Sequence, residues 1–114
     1  MPSKCLNFER EEDINEFLNT LDEFGFKSFH DPISWTILIE GKVEYAGYSE
    51  NGKFHIAIWD EDRKLSFMVD SYHNTISLMT PNKDKEFIVL KSVKAEYRGP
   101  YLAIEYWGQE GEEK

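Results

Sequence analysis

The sequence predicts an α+β fold: one N-terminal amphipathic helix packed on a curved, mostly antiparallel meander sheet of about 6–8 strands, enough to curl into a half-barrel. Three observations carry this expectation. A single apolar stripe at helical spacing lies within the first 25 residues. Beyond Pro32 the hydrophobic period changes from 3.6 to 2 and stays there. The alternating segments are joined by short polar turns, which favour antiparallel neighbours.

The helix is read from about Phe8 to Phe24. Ile14, Phe17, Leu18, Leu21 and Phe24 fall at i, i+3, i+4, i+7 and i+10, one stripe of a 3.6-residue period. Glu12, Asn15, Glu16, Asn19 and Glu23 make the opposite, polar face. Glu9, Glu11 and Glu12 crowd the first turns, where the helix dipole favours carboxylates. Gly25 suits the left-handed position that ends a helix, letting Phe26 fold back on Leu21. The residues before the helix, with the lone Cys5, read as a frayed end, and 27–32 as a connection through Asp31–Pro32.

The strands follow in order. Ile33, Trp35, Ile37 and Ile39 alternate with Ser34, Thr36, Leu38 and Glu40 up to a turn at Glu40–Gly41–Lys42, and Val43–Tyr48 continues. Asn51–Gly52 predicts a two-residue type I′ hairpin turn, because both residues tolerate positive φ. Phe54, Ile56 and Ile58 then point to one face, with Leu65, Phe67 and Val69 continuing the series past the polar turn Asp60–Arg63. Further turns are expected at Ser71–Asn74, Thr80–Asp84 and Arg98–Pro100. Phe87–Leu90 is an apolar run, so that strand is expected to be covered on both faces. One domain, 1–107, is followed by an acidic tail, 108–114, that reads as disordered.

Composition limits the function classes. The formal net charge is −9, with 22 acids against 13 bases, and aromatic residues make up 15%. So aromatic a chain is not expected to be disordered as a whole. The charge has the wrong sign for neutralising phosphates, so direct nucleic-acid binding is not expected. It is also uneven: residues 1–25 carry −5, residues 105–114 carry −3, and the 79 residues between them carry only −1. A neutral body argues against mimicry of a long duplex and leaves the acidic helix face and tail as candidates for meeting a basic partner. One cysteine, no apolar leader and no long apolar run predict a cytoplasmic protein without membrane attachment.

No residue set converges on catalysis. His30, His55 and His73 lack zinc-ligand spacing, no glycine-rich phosphate loop occurs, and Asp60–Glu61–Asp62 fails the twelve-residue calcium pattern. No enzyme, cofactor or metal is therefore expected. The candidate partner-binding residues are Glu12, Glu16 and Glu23 on the helix face, and Tyr48, His55 and Trp59 on the sheet. With Asn51–Gly52 as the hairpin tip, Tyr48 and His55 project from one face near the tip and Trp59 lies further along it. Tyr and Trp are enriched among interface hot spots. These residues predict a small acidic inhibitor, of the toxin-immunity or phage anti-defence type, that binds a basic surface or cleft of an enzyme. The competing expectation is a small-ligand domain whose aromatic sheet face, with Met68, holds a nucleotide-like or apolar molecule.

Overall fold

The computed structural model describes residues 4–106. Its elements in chain order are β1 (Lys4–Leu6), α1 (Glu11–Phe24), β2 (Ser28–Asp31), β3 (Thr36–Glu40), β4 (Lys42–Tyr48), β5 (Phe54–Asp60), β6 (Leu65–Asp70), β7 (Thr75–Met79), β8 (Asp84–Val89), β9 (Lys94–Arg98) and β10 (Tyr101–Glu105). The fold is α+β with an N-terminal helix and mostly antiparallel strands. The strands divide between two open sheets, a six-stranded one in the order β1-β8-β7-β6-β5-β4 and a four-stranded one in the order β2-β3-β10-β9. They do not close into a barrel.

The division has a local cause at Gly41. The Glu40–Gly41–Lys42 segment is not a hairpin turn; it carries the chain from β3 in one sheet to β4 in the other. Gly41 N–H donates to the Pro100 carbonyl at 2.9 Å, and the Tyr97 hydroxyl donates to the Gly41 carbonyl at 2.6 Å. A β-carbon at Gly41 would meet the Ile58 side chain at 3.0 Å, tighter than ordinary contact, so glycine eases the crossing. Strand β10 returns to pair with β3, which breaks the simple meander.

The helix forms where its stripe predicts. Ile14, Phe17, Leu21 and Phe24 are buried. Phe17 lies edge-on to Phe8 and Phe87, with ring centroids 5.4 and 5.9 Å away, and faces Phe67 at 6.2 Å. The helix thus covers the Phe67 side of the six-stranded sheet. Ile37, Ile39, Leu102 and Ile104 of the smaller sheet join the same core. At the C-terminus Gly25 has φ 98°, Gly25 N–H donates to the Asp22 carbonyl at 3.0 Å, and Phe26 N–H to that of Leu21 at 2.9 Å. These bonds satisfy carbonyls the helix end would otherwise leave open, in the Schellman pattern.

Several expectations are corrected. Ile33 is 88% exposed, and Trp35 has φ 55°, so the strand starts at Thr36 and the earlier alternation belongs to a turn. Asp31 organises that turn, its carboxylate accepting from the Ile33 amide at 3.0 Å and the Ser34 hydroxyl at 2.9 Å. The segment around Cys5 is not frayed: β1 pairs parallel with β8, in register Cys5 to Ile88. Ser28–Asp31 is an edge strand rather than a connection. Strand β8 is not buried on both faces, since Phe87 and Val89 are buried but Leu90 beyond it is 58% exposed. The tail, 108–114, lies outside the described residues.

Candidate functional site

One face of the six-stranded sheet meets the helix, and the register defines the other. Across the sheet, Tyr45 aligns with Ala57, Met68, Ser77 and Glu86; Gly47 aligns with His55, Asp70, Thr75 and Ile88. A third row runs through Lys42, Trp59, Ser66, Met79 and Asp84. Partners opposite one another in an antiparallel ladder share a face, so these rows form the outer surface.

Aromatic and sulfur-bearing side chains gather there. The Tyr45 ring is edge-on to His55, centroids 5.0 Å apart, and His55 meets Tyr72 at 6.1 Å. The Tyr45 hydroxyl donates to the Met68 sulfur at 3.0 Å. Tyr45, Tyr72 and Met79 are each about half exposed, at 44, 46 and 52%. His55, Trp59 and Met68 are half-buried. Large apolar groups at this exposure on one face make it the candidate contact surface. The same rows place three carboxylates, Asp70, Asp84 and Glu86, against one lysine, Lys42.

The sequence-predicted set is partly reunited. His55 and Trp59 lie on the outer face as expected, but Tyr48 does not join them. Ser49 N–H donates to the Lys53 carbonyl at 2.8 Å, and Gly52 alone in the loop has positive φ, 85°. The hairpin therefore has a three-residue loop, not the two-residue type I′ turn. This shifts pairing by one residue, placing Tyr48 opposite Phe54 rather than His55, and a one-residue shift moves a side chain to the other face. Tyr48 remains 61% exposed at the sheet edge, its ring 6.2 Å from that of Phe54. Tyr45 and Tyr72 were missed; a three-residue loop would have put Tyr45 on the His55 face, and Tyr72 comes in from a turn with no periodicity.

The helix carboxylates are less free than their count suggests. Glu12 pairs with Arg10, and its backbone hydrogen bond and that ion pair hold its carboxyl below the ordinary value. Glu16 lies 3.5 Å from Lys4. Glu23 is exposed and has no ion pair among the described residues. Exposed pairs of this kind contribute little to stability, though they reduce the field the helix face presents.

Two histidines have defined partners. His73 Nδ1 lies 2.8 Å from Asp70, which also accepts from the Tyr72 amide at 2.9 Å. Partial burial works to raise the Asp70 pKa, but the bonds from His73 and the Tyr72 amide outweigh it and leave the carboxyl below its ordinary value. The neighbouring Ser71 hydroxyl is committed to the Phe54 backbone, receiving its N–H at 2.7 Å. This His–Asp–Ser proximity is a turn organised by Asp70, with no hydroxyl aimed at the imidazole. On the smaller sheet His30 Nε2 bonds the buried Tyr106 hydroxyl; burial lowers the His30 pKa, partly opposed by the Asp31 charge. Burial also raises the Tyr106 pKa.

The space between helix and sheets is filled by Phe8, Phe17, Phe67 and Phe87, all nearly inaccessible. A groove of about 380 Å³ opens beside Trp59, lined also by Lys27, Glu40, Lys42, Asp62 and Arg63. Fold and surface together define a two-sheet α+β domain with an open aromatic sheet face. No known protein family, characterised protein or solved structure matches the chain.

Proposed function

We propose that this chain is a non-catalytic, protein-binding protein that acts as a small acidic inhibitor, seating the outer face of its six-stranded sheet on a basic surface of a partner enzyme. The observation that carries the reading is the outer-face cluster of exposed Tyr45 and Tyr72 with half-buried His55 and Met68 between them, and Trp59 and Met79 on the same face. Such clusters supply desolvated anchors at protein interfaces, and a surrounding excess of carboxylates steers a basic partner to them. Toxin-immunity and phage anti-defence proteins act by this kind of stoichiometric blocking. The helix face through Glu12, Glu16 and Glu23 is the secondary contact, its contribution reduced by the pairs to Arg10 and Lys4.

A small-ligand reading is supported by the groove beside Trp59. It is the weaker of the two, because the groove lining mixes both charge signs and the interior expected to hold a ligand is packed with phenylalanine.

The test is affinity capture from the native cell or infected host with three baits. Wild type and the helix triple variant Glu12→Lys, Glu16→Lys, Glu23→Lys should retain the same partner, the latter with a slower association rate. The outer-face double variant Tyr45→Ala, Met68→Lys should lose it. Equal capture by all three baits rejects the reading.

A further inference from the structure

We infer that the turn from Asp31 to Trp35 is the blocking element, inserting Ile33 into an apolar cleft of the partner enzyme. The inference rests on the protein-binding reading and specifies its mode. Among the described residues Ile33 is the most exposed large hydrophobic side chain, at 88%. The turn that carries it is clamped from within. The Asp31 carboxylate accepts from the amides of Ile33 and Ser34, at 3.0 and 3.4 Å, and from the Ser34 hydroxyl at 2.9 Å. The Trp35 carbonyl accepts from Tyr106 N–H at 2.9 Å, which ties the far side of the turn to the end of β10. Pro32 has its φ fixed by its ring, and Trp35 is held at φ 55°, a conformation that bulky side chains rarely adopt. Such backbone strain persists only where its surroundings impose it, and here it fixes the direction of a solvated apolar side chain.

The topology sets this turn beside others of the same kind. Strands β2, β4, β6, β8 and β10 end where β3, β5, β7 and β9 begin, and 90–93 leads from one sheet to the other at that end. The connections 32–35, 49–53, 71–74 and 90–93 therefore gather at one end of the domain. Each carries or adjoins one exposed large apolar or aromatic residue: Ile33, Tyr48, Tyr72 and Leu90. Ser92 lines one cavity with Trp35 and Tyr106 and another with Asp70 and Asn74, so 90–93 lies between the Ile33 turn and the Tyr72 turn. Tyr72 in turn meets His55 of the outer face, which makes the surface continuous from that face to Ile33. The connections at the opposite end carry charge instead, with Lys27, Lys42, Glu61, Asp62, Arg63 and Lys83.

Shape and charge together select the occupant. One projecting side chain on a fixed turn complements a concavity rather than a flat surface. Carboxylates at this end are already engaged, Glu9 with Lys91 at 2.9 Å and Asp70 with His73 at 2.8 Å, so what the end offers is apolar. A cleft of fixed shape gains from the clamp, because the turn is ordered before binding. A fluid bilayer gains nothing from it, and a chain of net charge −9 is repelled by anionic lipid. The occupant is therefore a protein with an apolar-lined cleft.

The test places the photo-cross-linking amino acid p-benzoylphenylalanine in the full chain, in the native cell or infected host, at Ile33, at Tyr45 or, as a control at the opposite end, at Asp62. Irradiation should join the protein that wild type captures to positions 33 and 45 and not to 62. The adduct at 33 should map to apolar residues lining a cleft of that protein. In a titration against the same protein, Ile33→Asp should weaken binding at least tenfold with an unchanged urea midpoint, and Ile33→Leu should stay within about twofold of wild type. Asp31→Asn, which loosens the clamp, should weaken binding about three- to tenfold and speed amide exchange at Ile33 and Ser34. Cross-linking through 45 but not 33, or unchanged affinity in Ile33→Asp, overturns the inference and leaves the outer-face reading standing. An adduct at 33 to a second copy of the chain, or to lipid, also overturns it. Cross-linking through neither position, with equal capture by the three baits, rejects the protein-binding reading and the inference with it.

Discussion

The ring of Tyr45 stands edge-on to the imidazole of His55, centroids 5.0 Å apart and planes at 84°, on the sheet face opposite the helix. Its hydroxyl donates to Met68, so three side chains from three strands hold one another in place at the surface. A contact surface ordered in advance binds with less loss of side-chain entropy than one that must order on binding.

Tyr45→Ala removes this arrangement at little structural cost. Because Tyr45 is 44% exposed, the expected destabilisation is only about 0.5–1.5 kcal/mol, read from the urea midpoint. Partner affinity should fall at least tenfold, about 1.4 kcal/mol, in a direct binding titration. A large loss of stability with unchanged affinity would make Tyr45 a packing residue.

Phe17→Ala acts in the opposite way. Phe17 is fully buried and touches rings from β6 and β8 as well as Phe8. The cavity should cost about 3–5 kcal/mol, a large part of a small domain's stability. Urea denaturation measures it, and Phe17→Leu should recover more than half.

Gly25→Ala isolates a backbone effect. A β-carbon there would sit 3.5 Å from Leu65, ordinary contact, so sterics with neighbours contribute nothing adverse. The positive φ alone should cost about 1–2 kcal/mol in thermal or urea unfolding.

Stability should depend on pH through His30. Burial holds its folded pKa below 6.5, so in the interval beneath that value the unfolded chain binds more protons than the folded one. Stability from this group is full above the unfolded pKa and is lost as pH falls through the interval. Unfolding midpoints measured from pH 7.5 to 4.5 should show a fall in wild type that is smaller in His30→Gln, where no proton is taken up.

Much of the fold was legible because burial imposes a period. The stripe from Ile14 to Phe24, the Gly25 stop and the Phe54–Ile56–Ile58 series all follow from one face meeting the core. What escaped depended on distant partners or on loop length. Lys4–Leu6 is a strand only because β8 lies beside it, and three residues have no readable period. Ile33 and Trp35 mimic an alternation within a turn held by Asp31. At the candidate site His55 and Trp59 were legible from parity. Tyr48 was misplaced because the Asn51–Gly52 pair suits two loop lengths that differ by one residue in register.

The most direct test of the central claim is hydrogen exchange on the chain bound to its co-purifying partner. The expected footprint covers the outer face of β4 to β6, with slowed exchange around Tyr45, His55 and Met68. A footprint confined to helix α1 or to the β2-β3-β10-β9 sheet, with β4 to β6 unchanged, would contradict it.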